Sequence, residues 1–310
     1  MNQINRREFM ERMAAAAGVL AVGLPASADE QKPVRKITDK IRLGKTDIKC
    51  SIVGIGTGTV GVNHSSNQTK LGQEKFTALF RHAFESGITF FDVADSYGSH
   101  TYLREAIKGM PREKFVIMTK TFSRNPEAVR ADIDRYRKEL GVEYIDLLLM
   151  HCVTEPDWNV RYRGVKDVIE EAKQNKIVRH HGCSCHSYAA MEAAAADPWV
   201  EVDLARFNPW AMYMDAKVPG ESKSETCDNV KTLLKRMRTA GKGVIGMKIL
   251  GQGDAMKGPD RVDKIRESLR WALGSGSVDM MSIGFEAPEQ VTQILKETQV
   301  ALNDLHHQFA

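Results

Sequence analysis

The sequence predicts an α/β protein, a closed (β/α)8 TIM barrel with an N-terminal β-hairpin. Three observations carry that reading. Short apolar runs alternate with amphipathic stretches from residue 51 onward, each kind occurs eight times, and the runs are rich in Ile, Val, Leu, Met or Phe. Strands covered on both faces need such composition, and strict alternation with helices makes a parallel sheet. Eight repeats favour a closed barrel over an open, doubly wound sheet.

The elements follow in order. Residues 41–50 alternate around a turn at 44–47, a hairpin signal. Strands are expected over 51–57, 88–94, 115–121, 144–152, 177–185, 202–208, 243–250 and 278–285. Helices are expected over 72–86, 99–108, 126–139, 162–174, 187–195, 226–240, 260–272 and 288–301. Val129, Ile133, Tyr136 and Leu140 show the three- and four-residue steps of a buried helix face. Pro126, Pro259 and Pro288 stand near helix starts, and Gly87, Gly141 and Gly241 near helix ends. Gly54-x-Gly56-x-Gly58 follows the first barrel strand, but no third phosphate-loop glycine or helix follows at the right spacing, so it is discounted as a dinucleotide fingerprint.

The 310 residues are 42% hydrophobic and 27% charged with a net charge of +4, ordinary for a soluble chain. No basic block interleaves with aromatics, which argues against nucleic acid as a partner. Five irregularly spaced cysteines give no disulfide framework. At the N-terminus, Asn5-Arg6-Arg7-Glu8-Phe9-Met10 precedes an apolar stretch over 13–24 and then Ala26-Ser27-Ala28. Those are the charged, apolar and A-x-A parts of a signal peptide. The paired arginines resemble a twin-arginine signal, and the apolar stretch is too short to span a membrane. Residues 1–28 are therefore expected to be a signal peptide read by the twin-arginine translocase, 29–40 a polar leader, and 41–310 the barrel. The expected location is the periplasm, with no stable membrane anchor.

A parallel barrel carries its active site at the C-terminal strand ends. The second barrel strand closes with Asp92-Val93-Ala94-Asp95-Ser96-Tyr97-Gly98, the third with Met118-Thr119-Lys120, the fourth with Met150-His151. Adjacent strands thus bring ionisable groups to one rim. These strand ends resemble those of the aldo/keto reductases, which implies carbonyl reduction by hydride transfer: negative charge develops on oxygen, which must then be protonated. Tyr97 suits that role if a nearby ammonium, Lys120 held by Asp92, lowers its pKa. His151 would orient the same oxygen.

These segments, with the hairpin Arg42-Leu43-Gly44-Lys45-Thr46 and the stretch Leu140-Gly141-Val142-Glu143-Tyr144-Ile145-Asp146, resemble the aldo/keto reductases over roughly residues 41 to 300. The resemblance implies a nicotinamide cofactor, NADPH or NADH, and a small-molecule carbonyl or alcohol substrate. It also implies nicotinamide contacts that this chain alters. A Ser-Asn pair becomes Ser184-Cys185, a glutamine becomes Leu204, and a stacking aromatic becomes Met247, followed by Lys248. Near the expected 2′-phosphate position stand Glu286 and Gln290.

Cys183-x-Cys185-His186 matches no established zinc spacing, so no metal is expected. Trp158 and Trp210 are candidates for the substrate pocket. His64, His82, His100, His306 and His307 read as solvated or helix-surface residues. Two alternatives stand beside the reductase: an exported, non-catalytic barrel binding a small ligand, and an enzyme using the same four residues with a different cofactor.

Overall fold

The computed structural model describes residues 36–308. The proposed signal peptide and most of the leader lie outside the described residues. Strand β1 (Lys40–Arg42) pairs antiparallel with β2 (Lys49–Ser51). Eight parallel strands then close the barrel: β3 (Val53–Gly56), β4 (Phe90–Asp92), β5 (Val116–Thr121), β6 (Ile145–Val153), β7 (Val178–Cys185), β8 (Val202–Arg206), β9 (Gly243–Met247) and β10 (Met280–Gly284), with β10 bonded back to β3. The helices are α1 (Gln73–Glu85), α2 (His100–Ala106), α3 (Pro126–Leu140), the single turn α4 (Trp158–Arg161), α5 (Arg163–Gln174), α6 (Tyr188–Ala196), α7 (Lys223–Thr239), α8 (Arg261–Gly274) and α9 (Pro288–Gln308). None of the described helices is long and apolar enough to cross a membrane.

The hairpin covers the N-terminal end of the barrel. Leu43 is fully buried, Lys45 N–H donates to Gly241 O at 2.8 Å, and Asp47 Oδ1 lies 2.6 Å from His180 Nε2. Gly44 has a φ of 55°, and a Cβ there would fall 2.3 Å from Gly243 N, so only glycine lets the turn come this close. With that end covered, the barrel opens at the opposite strand ends.

Boundaries shift where local chemistry outweighs periodicity. Helix α7 starts at Lys223, before the expected 226, because Ser222 and Glu225 form a reciprocal capping box. Strand β9 ends at Met247, short of 250, because Lys248 turns into the left-handed region at φ 55°. His100 is not a surface residue. It is buried, with Nδ1 2.8 Å from Glu139 Oε2 and Nε2 2.7 Å from Thr119 Oγ1. Its position on the inner face of a short helix overrides its polarity.

Asp146 ties three strands together below the site. It is buried; its carboxylate accepts from Arg112 Nη2 at 2.6 Å, Arg179 Nη1 at 2.6 Å and Ile117 N at 2.8 Å. Replacing it leaves the buried Ile117 N–H without its acceptor and removes one carboxylate partner from each arginine. Asp146→Ala is expected to cost about 3 kcal/mol in urea-unfolding stability, less than a fully buried pair because both arginines are partly exposed. A loss below about 1 kcal/mol would remove the carboxylate from this bracing role.

Candidate active site

A cavity of about 620 Å³ opens at the C-terminal strand ends. Asp92, Tyr97, His151, Met247, Lys248, Arg261, Glu286 and Gln290 are among the residues that line it. The size falls in the range usual for small-molecule sites.

Lys120 lies beneath this floor, wholly buried. Its ammonium donates to Asp92 Oδ1 and to Val93 O at 3.1 Å, while Asp92 Oδ2 accepts from Ser282 Oγ at 2.6 Å. Strands β4, β5 and β10 are thereby joined by one charge pair and one hydroxyl. The ammonium stands 5.0 Å from the Tyr97 ring centroid. The sequence reading expected this ammonium to lower the phenol pKa, but the net shift is upward. Burial, then Asp92 and Cys152, push Tyr97 well above the usual tyrosine value. The reason is local neutralisation: Asp92 is in direct contact with Lys120, and Tyr97 sits in a desolvated wall. Tyr97 is therefore a neutral phenol, a group that can give a proton.

Glycines make room for that ring. A Cβ at Gly58 would fall 2.5 Å from Tyr97 Cζ, and one at Gly61 2.4 Å from Tyr97 Cδ1. The first-strand glycines discounted as a phosphate loop thus have a local steric task. Gly58 forms part of the bed on which Tyr97 lies.

Tyr97 Oη is 3.3 Å from His151 Nε2. His151 reaches it through an irregularity in β6, where the pairing with β7 shifts between Met150 and Val153 and Cys152 adopts a φ of 51°. Such bulges re-aim side chains beside active sites. Burial first, then Lys120, His186 and Arg124, hold His151 neutral, its pKa well below the usual value. Its buried Nδ1 has no hydrogen-bond partner among the described residues. An orphaned lone pair is less costly than an orphaned N–H, so the proton is assigned to Nε2, facing the cavity.

The nicotinamide contacts expected from sequence separate. Met247 and Lys248 line the cavity, and Lys248 Nζ donates to Gln252 Oε1. Burial lowers the pKa of Lys248, with Arg206 the next cause. Glu286 accepts from Asn67 Nδ2 at 2.8 Å, and Gln290 Oε1 accepts from Glu286 N at 2.8 Å. Ser184, Cys185 and Leu204 are buried and are not part of the cavity lining. Neither tryptophan lines it. Trp158 is a core side chain donating Nε1–H to Ala190 O at 3.2 Å, and Trp210 is half-buried elsewhere.

Cys183 and Cys185 share the face of β7 that carries His181, which stacks on Trp199 and bonds Glu170 of α5. Strand alternation therefore turns both thiols toward the helices. They lie 3.5 Å apart in a buried chain that ends on Asp203 Oδ1, 3.4 Å from Cys183 Sγ. Burial raises Cys183 to about 11 and Asp203 to about 6, which favours thiol protons in that chain.

Several lining residues escaped sequence reasoning. Arg261 comes from the start of α8 and donates to Gln293 Oε1 at 2.6 Å; Phe122 lies with its ring centroid 4.2 Å from that of His151. His186 and Cys152 stand at the ends of β7 and β6, with Nε2 and Sγ 3.6 Å apart. The strand-end rule that found His151 also marks Cys152; His186 reads in the sequence only with Cys183 and Cys185, and alternation turns it to the opposite face of the strand.

The comparisons agree with this architecture. Residues 53–310 match the model of the aldo/keto reductase family. A soybean (Glycine max) protein named a probable aldo-keto reductase is 28% identical over 69% of this chain, and this chain spans 60% of it. An NADH-specific methylglyoxal reductase of Escherichia coli K12 is 27% identical over 47% of the chain, which spans 51% of that protein. The chain thus covers less than two thirds of either relative. Among solved structures, an aldo-keto reductase of Pseudomonas aeruginosa aligns with a TM-score of 0.68 at 19% identity, covering 86% of this chain and 97% of that one. An aldo-keto reductase from Bacillus halodurans, in its holo form, aligns with a TM-score of 0.65 at 16% identity, covering 86% of this chain and 96% of that one. With the family match spanning the barrel, this chain belongs to the aldo/keto reductase family.

Proposed function

We propose that the protein is an oxidoreductase interconverting a small-molecule carbonyl and its alcohol with a nicotinamide nucleotide, Tyr97 acting as the proton donor in reduction. The observation that carries this reading is the Tyr97 hydroxyl 3.3 Å from His151 Nε2, beside a buried Lys120–Asp92 pair. The cavity fits such a cofactor. Met247 offers a soft surface to a ring, Lys248 a cation to phosphate, and Arg261, Gln290 and Glu286 polar groups for the rest of the nucleotide.

The bound nucleotide supplies hydride to the carbonyl carbon. His151 Nε2–H donates to the carbonyl oxygen and fixes its direction. Tyr97 gives its phenolic proton to that oxygen as charge develops there. The phenolate that remains faces the Lys120 ammonium, 5.0 Å from the ring centroid. In oxidation the same phenolate takes the alcohol proton back.

By family resemblance Glu286 lies near the expected 2′-phosphate position, with Gln290 in place of a basic residue, so NADH is the cofactor proposed to bind at least as tightly as NADPH. The E. coli relative named for NADH is compatible with that. Export by the twin-arginine route completes the reading, because that route carries folded proteins. We propose that the nucleotide is bound before transport and leaves slowly.

Three outcomes are expected. Tyr97→Phe retains its fold by circular dichroism and loses ~10²- to 10⁴-fold in reduction rate. Retention of more than about a tenth of the rate would remove Tyr97 from the proton-donor role. Calorimetric titration gives NADH a Kd no weaker than that of NADPH; a strong NADPH preference contradicts the placement of Glu286, and no binding of either nucleotide points to the ligand-binding barrel instead. Replacing Arg6 and Arg7 together by Lys leaves the charge but strands the precursor in the cytoplasm. An unchanged periplasmic yield on cell fractionation rules out twin-arginine export.

A further inference from the structure

His186 follows the last residue of β7 and lines the cavity beside His151, their ring centroids 6.3 Å apart. Its Nδ1 lies 2.6 Å from Arg206 Nη2, and Arg206 Nη1 is held by Asp215 Oδ1 at 2.8 Å. A guanidinium only donates, so Nδ1 must be the acceptor. The imidazole proton is then confined to Nε2. Burial, followed by Arg206, Lys248 and Lys120, lowers the His186 pKa to about 3, so the ring stays neutral. The Asp215–Arg206 pair acts as a brace that sets both the tautomer and the ring direction.

The other end of this ring is poorly satisfied. Among the described residues Nε2 meets Ser184 Oγ at 3.4 Å and Cys152 Sγ at 3.6 Å, the first long and the second a weak acceptor. A braced donor aimed into a cavity without a good acceptor is a group arranged for a ligand oxygen. The amide donors that family resemblance places here are missing: Cys185 faces the helices, and Leu204 has no donor in its side chain. His186 stands at the same strand end, while the substrate oxygen is already bracketed by Tyr97 and His151.

We propose that His186 Nε2–H holds the carboxamide oxygen of the nicotinamide ring, replacing the amide donors absent at Cys185 and Leu204. This rests on the nucleotide reading given above. Met247 would lie against the ring, and His186 would set which way its carboxamide points.

The test is calorimetry on the purified mature protein with two ligands, NADH and ADP-ribose, the second lacking the nicotinamide. The wild type is expected to bind both. His186→Ala should weaken NADH about tenfold, with ADP-ribose affinity unchanged. His186→Asn, which keeps an N–H donor, should restore most of the NADH affinity; thermal melting confirms that each variant is folded. Equal NADH affinity in wild type and His186→Ala overturns the proposal, and so does parallel weakening of both ligands, which is a general structural effect. Failure of the wild type to bind either ligand is the distinct result that overturns the nucleotide reading and this inference with it.

Discussion

The buried Lys120–Asp92 pair is the interaction on which the site depends. An ammonium with no exposed surface loses several kcal/mol of solvation, and it stays charged only if its acceptors are in place. Asp92 and Val93 O from the end of β4 supply them, and Ser282 from β10 steadies the carboxylate. The barrel must close in register for these strands to meet. Closure of β10 onto β3, and the hairpin sealing the opposite end, are thus conditions for the chemistry as well as for stability. The same pairing explains why Tyr97 remains a phenol. Lys120's charge is already largely compensated, so burial governs Tyr97.

Much of this was legible in the chain. Buried parallel strands read as continuous apolar runs because both faces are covered, and helices such as α3 show their inner face at Val129, Ile133, Tyr136 and Leu140. Strand ends then place Asp92, Lys120 and His151 on one rim without further information. Tyr97 sits one short turn beyond β4, so its spacing also carried through. The capping box at Ser222 and Glu225 was readable too, since its spacing is a local signature.

What did not carry through depends on where side chains turn. Alternation along β7 predicts that Cys183 and Cys185 share a face, but only the packed structure shows that the face meets helices. His100 looks polar in sequence, yet Glu139 and Thr119 satisfy both ring nitrogens and allow burial. Trp158 follows the end of β6 by five residues and goes inward, where Ala190 O accepts its indole N–H. The pKa of Tyr97 runs upward, against the sequence reading, because burial is its largest cause and the sequence does not show how deeply the phenol is set. His186, read in the sequence only beside Cys183 and Cys185, lines the cavity instead, its tautomer set by Arg206 and Asp215 of later chain segments.

The central claim is that Tyr97 acts from its neutral form, held there by desolvation against a compensated Lys120. Ultraviolet difference titration of wild type against Tyr97→Phe reads the ionisation of this one phenol. The expected result is no tyrosinate signal from Tyr97 up to about pH 10, the ordinary tyrosine value. A tyrosinate signal developing below about pH 9 would contradict the account, since Lys120 would then be lowering the phenol as a free ammonium does.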